Sequence, residues 1–168
     1  MEINLYDTQT MIASDNQKYS VESYTHIPPA IPMVLHDPVC TPEYKTKGSA
    51  GADLKVELDL VLNPNSQTVV NTGISLAIPE GFVGLIFPRS GLASRGITLA
   101  NSVGVIDSDY RGEIKVALVN RSMEPVALNR GDRVAQIVFV RVTQFPFTNT
   151  DSLDTTARGT GGFGSTGV

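Results

Sequence analysis

From Gly51 to Val140 the apolar residues recur with a period of two, and proline or glycine interrupts them every few residues. Ala52, Leu54, Val56, Leu58, Leu60 and Leu62 alternate mostly with Asp53, Lys55, Glu57 and Asp59, and Asn63-Pro64-Asn65 then turns the chain. Ile74, Leu76 and Ile78 alternate up to Pro79-Glu80-Gly81, and Ile114, Val116 and Leu118 form another such set. Side chains on a strand point alternately to its two faces, so this pattern describes strands with one buried face. The run from Val134 to Val140 is the last strong alternating set, whereas Phe82-Val83-Gly84-Leu85-Ile86-Phe87 is nearly continuously apolar and predicts a strand buried on both faces. The interruptions leave no room for a long amphipathic helix; one helical turn fits around Leu92-Ala93-Ser94. Many short strands joined by close turns predict an all-β, jelly-roll-like β-barrel.

At 168 residues the chain makes one domain, with room for an appendage. Its hydrophobic content of 41% suffices for a core. The net charge of −4 excludes a protein that coats nucleic acid, which needs a basic face. No apolar stretch approaches the roughly 18 residues of a membrane span, and the start lacks the basic residues of a secretion signal. The single cysteine, Cys40, rules out internal disulfides and is read as structural. A soluble, intracellular, cytoplasmic protein is expected. Residues 1–30 are polar, weakly patterned and end in a proline-rich run, and they are read as an N-terminal extension ahead of a core over 31–150. His26 and His36 have no metal-ligand spacing and are read as surface histidines.

Residues 151–168 form a different kind of segment. Arg158-Gly159-Thr160-Gly161-Gly162-Phe163-Gly164-Ser165-Thr166-Gly167 has no apolar pattern and cannot order itself by burial. Glycines let a backbone approach an anion, hydroxyls add hydrogen bonds, arginine grips phosphate and a lone Phe stacks on a flat ring. The segment reads as a mobile arm that closes over a nucleotide. It is no phosphate loop of the strand-to-helix kind, since Gly-x-x-x-x-Gly-Lys-Ser/Thr does not occur.

Four more polar, glycine-bearing segments interrupt the strands. They are Gly48-Ser49-Ala50-Gly51-Ala52-Asp53-Leu54, Pro88-Arg89-Ser90-Gly91-Leu92-Ala93, the run from Asn101 to Gly112, and Arg130-Gly131-Asp132-Arg133-Val134-Ala135-Gln136. In order, spacing and content, these four and the arm resemble the trimeric deoxyuridine triphosphatases (dUTP pyrophosphatases), over about residues 31–168. The resemblance implies Mg²⁺-dependent hydrolysis of dUTP to dUMP and pyrophosphate, by water attack on the α-phosphorus. It also implies a homotrimer whose active sites are shared between subunits, with neither nucleic acid nor membrane as a partner.

The same resemblance implies roles for individual residues. Gly104, Val105 and Ile106 open what is expected to be a tight β-hairpin closing at Gly112, whose backbone pairs with the polar edge of uracil. Fixed donors and acceptors discriminate well, because a mismatched base leaves buried groups unpaired. Asn101 helps read the base, and Tyr110 lies under the deoxyribose and excludes a 2′-hydroxyl. Asp107 is the general base that polarises the attacking water. Read without the resemblance, Asp107, Ser108 and Asp109 are equally good turn residues, and Asn101 and Tyr110 ordinary turn or strand residues.

Arg89, Ser90 and Gly91 grip the phosphates, and Gln136 reaches them from a strand. Lys115 lies near the substrate. In the arm, Arg158 meets the terminal phosphates, Phe163 covers the uracil, and Gly164, Ser165 and Thr166 complete the contacts. Mg²⁺ suits a triphosphate that carries it in, with Asp53 holding a metal-bound water; an outward-facing strand carboxylate is the rival reading of Asp53. Arg95 is either a phosphate neighbour or a surface residue. Two other functions share parts of this pattern: a dCTP deaminase-like enzyme of the same fold, and a dUTPase-like regulatory or binding protein.

Overall fold

The computed structural model describes residues 11–12, 18–19, 30–163 and 165. Most of the extension read over residues 1–30, with His26, therefore lies outside the described residues, as do Gly164 and Thr166 of the arm. Within the extension, β1 (Met11–Ile12) and β2 (Lys18–Tyr19) form a two-stranded antiparallel pair.

The core is built almost wholly from strands. In chain order they are β3 (Met33–Leu35), β4 (Ala52–Lys55), β5 (Leu60–Leu62), β6 (Gln67–Asn71), β7 (Ile74–Leu76) and β8 (Phe82–Pro88). A single helical turn, α1 (Ser90–Ala93), follows, where a turn was expected. Then come β9 (Ile97–Leu99), β10 (Gly104–Ile106), β11 (Lys115–Asn120), β12 (Val126–Leu128) and β13 (Arg133–Arg141). All pairings are antiparallel. One sheet has the order β10-β8-β13-β4, another β6-β11-β9, and two pairs, β12-β5 and β3-β7, complete the set. Among the described residues no sheet closes on itself; the all-β expectation holds as several short open sheets.

The chain crosses repeatedly between the four-stranded and three-stranded sheets, running β8, β9, β10, β11, so one core forms between them. The alternation read from the sequence supplies it: Leu54, Val56, Leu62, Ile74, Ile78, Ile114, Val116 and Leu118 are all buried. Leu58 departs from the pattern. It is 66% exposed, because the long alternating run from Ala52 is two strands with a bend between β4 and β5. Cys40 is buried in this core as expected, and burial pushes its thiol pKa up. It sits so close to Gly73 that a Cβ there would come within 2.8 Å of it, and Gly73 also has a positive φ of 65°. His36 lies at the surface against the Ser75 hydroxyl, at 3.0 Å.

One expectation about local structure fails. Residues 104–112 do not form a β-hairpin. Only the first arm, β10, is a strand, and it pairs with β8. After a turn in which the Tyr110 N–H donates to the Asp107 carbonyl, the chain bonds elsewhere: the Ile114 N–H donates to Ile74 O and the Thr72 N–H to Ile114 O. The pull is hydrophobic, since Ile114 is completely buried and begins the alternating set of β11. No helix among the described residues is long and apolar enough to cross a membrane.

Candidate active site

Several of the site residues read from the sequence line two separate clefts. The first, about 350 Å³, includes Asp53, Arg89, Ser90, Gln136, Lys45 and Arg133 in its lining. Asp53 lies at its floor, 7% exposed, although it stands on a strand in an alternating pattern. Arg89 Nε contacts one carboxylate oxygen at 2.7 Å and Arg133 Nη1 the other at 3.0 Å. Arg89 Nη1 also donates to the Arg133 carbonyl at 3.2 Å. One carboxylate thus aligns two guanidiniums, and the cluster keeps a net positive charge. Hydrogen bonds between ionised groups are stronger than those between neutral ones.

Gln136 enters the same cleft. Its Nε2 donates to the Pro88 carbonyl at 3.0 Å, which satisfies one end of the amide and leaves the oxygen turned toward Gly51. A Cβ at Gly51 would lie 2.8 Å from that oxygen, so the glycine makes room for the amide. Ser90 and Gly91 begin α1, whose first intrahelical bond runs from Leu92 N to Arg89 O. Their own N–H groups precede that bond, as the first amides of any helix do.

Arg133 and Lys45 were not singled out in the sequence. Strict alternation puts positions 133 and 136 on opposite faces of a strand. The ladder between β13 and β4 shifts register between Arg133 and Ala135, a β-bulge that adds one residue and turns both side chains into the cleft. Val134 and Ala135 are accordingly both buried. No hydrophobic pattern signals such a bulge.

The second cleft, about 870 Å³, is lined by Val105, Asp107, Ser108, Asp109 and Arg111 together with the start of β8 and Gln144. Asp107 is exposed at the end of β10. Arg111, another residue the sequence reading passed over, holds the turn by donating from Nη1 to the carbonyls of Ser108 (2.6 Å) and Tyr110 (2.9 Å). The Tyr110 hydroxyl donates to the Glu113 carbonyl at 3.0 Å. Since β10 is at the edge of its sheet, its outer N–H and C=O groups have no strand partner among the described residues. Gly104 packs against Ile86 across the ladder.

The two clefts lie at opposite ends of β8. Ile106 is paired with Gly84, so Asp107 leaves its strand level with Val83, whereas Arg89 follows the far end. Six residues of strand separate those levels, about 20 Å at the usual rise. Asn101 is exposed in the turn before β10, and Lys115 is exposed at the start of β11; neither lines either cleft.

None of the described residues from 151 onward lines either cleft. The Val142 N–H still donates to Gly81 O, and from there the chain runs exposed, with Phe147 102% and Phe163 113% accessible. Arg158 bonds locally, from Nε to Gly161 O at 3.0 Å. Among the described residues no group of three or more His, Cys, Asp or Glu could hold a metal ion.

Comparison with known proteins bears on this arrangement. The family model described as dUTPase matches residues 37–167. The deoxyuridine 5′-triphosphate nucleotidohydrolase of Thermobifida fusca is 52% identical over 128 residues, covering 75% of this chain and 72% of its own. Among solved structures, a mutant dUTPase of Staphylococcus bacteriophage 80alpha with dUpNHpp has a TM-score of 0.78 at 25% identity, over 83% of this chain and 99% of that one. A mutant dUTPase from phage phi11 of S. aureus, solved with a structural Mg(II) ion, shares the fold with a TM-score of 0.70 at 23% identity, over 75% of this chain and 99% of that one. The match runs through the carboxylate-clamped arginines, the acid-bearing turn and the arm alike, and the chain belongs to the dUTPase family.

Proposed function

We propose that the chain hydrolyses dUTP to dUMP and pyrophosphate by water attack on the α-phosphorus, at sites assembled from different subunits of a homotrimer. The observation that carries this reading is the separation of a cationic cleft from an acid-bearing turn by the length of β8. A single nucleotide cannot reach from one to the other on one chain. Two copies in contact can bring the Arg89 cleft of one against the Asp107 turn of the next.

In this reading uracil pairs with the free outer edge of β10, at Gly104, Val105 and Ile106, and Asn101 helps to read it. Tyr110 supports the deoxyribose. Asp107 takes the proton of the attacking water, which is a poor nucleophile at neutral pH. Arg89, Ser90, Gly91 and Gln136 hold the phosphates, with Lys115 near the substrate. Arg133 and Asp53 position Arg89, a role in which fixed charges aimed at developing negative charge lower the barrier.

A Mg²⁺ ion fits as a complex with the triphosphate, because the described residues offer no dedicated cluster and Mg²⁺ readily keeps phosphate and water as its ligands. Such an ion neutralises phosphate charge. Both Asp53 oxygens serve arginines, but each keeps a lone pair that a metal-bound water can use.

The open sheets are read as a jelly-roll-like barrel, with residues 31–150 as its domain. Residues 151–168 are read as a mobile arm that a neighbour's site receives. Exposed Phe145 and Phe147 ahead of it and Leu153 within it suit burial on another subunit. Arg158, Phe163, Gly164, Ser165 and Thr166 then close over the nucleotide. A deoxynucleoside triphosphate substrate fits a soluble, cytoplasmic enzyme that needs neither nucleic acid nor membrane.

Pyrophosphate release measured for each deoxynucleoside triphosphate, with Mg²⁺ and with excess chelator, tests the activity. Release from dUTP far above that from dCTP and dTTP, lost with chelator, is expected; ammonia released from dCTP would instead establish a deaminase.

A further inference from the structure

The Tyr110 side chain folds back on the two residues that follow Arg111. Its hydroxyl donates to the Glu113 carbonyl at 3.0 Å, and its edge lies directly over Gly112. A Cβ built at Gly112 would lie 2.4 Å from the hydroxyl oxygen and 2.6 Å from Cζ, closer than real Cβ atoms come. The backbone of Gly112 does not need a glycine, for its φ lies outside the left-handed region in which Gly73, Gly81, Gly96, Gly131 and Gly159 are found. The three heavy atoms nearest such a Cβ all belong to Tyr110, so it is this side chain that the glycine accommodates. Glu113 in turn is anchored, because its carboxylate accepts the Gly73 N–H at 2.9 Å.

We infer that Gly112 is a specificity-determining position: by leaving room for the hydroxyl edge of the Tyr110 ring, it sets the height of the platform that separates deoxyribose from ribose. This rests on the reading of Tyr110 as the surface beneath the sugar. Rejecting one extra hydroxyl requires a wall that does not yield, and Tyr110, a residue 42% exposed, holds its place only if its neighbours fix it. Any side chain at 112 lifts the ring, breaks the bond to Glu113 O and lets the wall move. Gly112 touches neither the base nor Asp107 in this scheme and acts through Tyr110 as a positioning residue.

The test is the ratio of kcat/KM for dUTP to that for UTP in Gly112→Ala, Tyr110→Ala, Tyr110→Phe and the Gly112→Ala/Tyr110→Ala double variant, with thermal melts on each. Gly112→Ala is expected to lower the ratio by about tenfold or more, and Tyr110→Phe, which keeps the ring and loses one tether, by less. Adding Gly112→Ala to Tyr110→Ala should change nothing further, because the ring it displaces is gone. If Tyr110→Ala leaves the ratio intact, the reading of Tyr110 as the sugar platform fails. If Tyr110→Ala collapses the ratio and Gly112→Ala does not, the inference about Gly112 fails. Misfolding of Gly112→Ala that Tyr110→Ala does not correct would overturn it too, since the ring would then not be what the glycine accommodates.

Discussion

Arg133 and Gln136 are three residues apart on β13 and line the same cleft. The β-bulge between Arg133 and Ala135 makes this possible, and it puts a second guanidinium on the Asp53 carboxylate that Arg89 already contacts. The cationic cleft is therefore a property of strand register as much as of residue type.

Asp53→Asn should weaken that cleft without touching the base. An amide cannot hold both guanidiniums by charge, so KM for dUTP is expected to rise more than kcat falls. Loss of the charged hydrogen bonds should also lower stability, by about 1–3 kcal/mol. Steady-state kinetics with thermal melts check both; an unchanged KM would remove Asp53 from the phosphate site.

Replacing Asp107 with Asn keeps the shape of the turn and its backbone bond to Tyr110, but removes the base. Turnover is expected to fall roughly 10²–10⁴-fold while binding of dUTP, followed by calorimetry, persists. Near-normal turnover would place the base elsewhere.

Deleting residues 158–168 should reduce turnover heavily and leave Tm unchanged, because none of the described residues among them belongs to the buried core. Arg158→Ala should cost more than Phe163→Ala, since a charge-assisted contact to the phosphates is lost in one and shielding of a base in the other. Full activity after deletion would mean that the arm is no lid.

Acid stability offers a check away from the site. The Val39 N–H and the Arg130 guanidinium, which lies 2.6 Å from the carboxylate, hold Asp37 below its usual pKa. A depressed carboxylate stabilises the fold above its unfolded pKa, and that contribution is lost as pH falls through the folded value. Tm of the parent protein should therefore fall more steeply than that of Asp37→Asn as pH drops below about 4. Parallel profiles would show the pair to be without effect.

Much of the fold was legible because burial here follows alternation. Ile74, Leu76 and Ile78, or Ile114, Val116 and Leu118, advertise a buried face by their spacing alone. Leu58 was misleading because a bend resets the phase without changing the residue types. The expected hairpin at residues 104–112 failed for a comparable reason: glycines at both ends permit a hairpin, but buried Ile114 draws the returning chain to β7. In the site, Arg89 and Gln136 could be picked out through the resemblance of their segments to the family. Arg133 could not, since its place depends on the bulge, and the fixing of Tyr110 by Gly112 and Glu113 depends on contacts that no spacing encodes.

The shared site is tested most directly by mixing two inactive variants. Asp107→Asn and Arg89→Ala each disable one cleft and leave the other intact. If every site takes its base from one subunit and its phosphate cleft from another, trimers reassembled from an equal mixture hold some sites with both residues intact. Random assembly should then restore about a quarter of the parent turnover. Sites contained within one chain would stay dead at every mixing ratio, and that result would contradict the account.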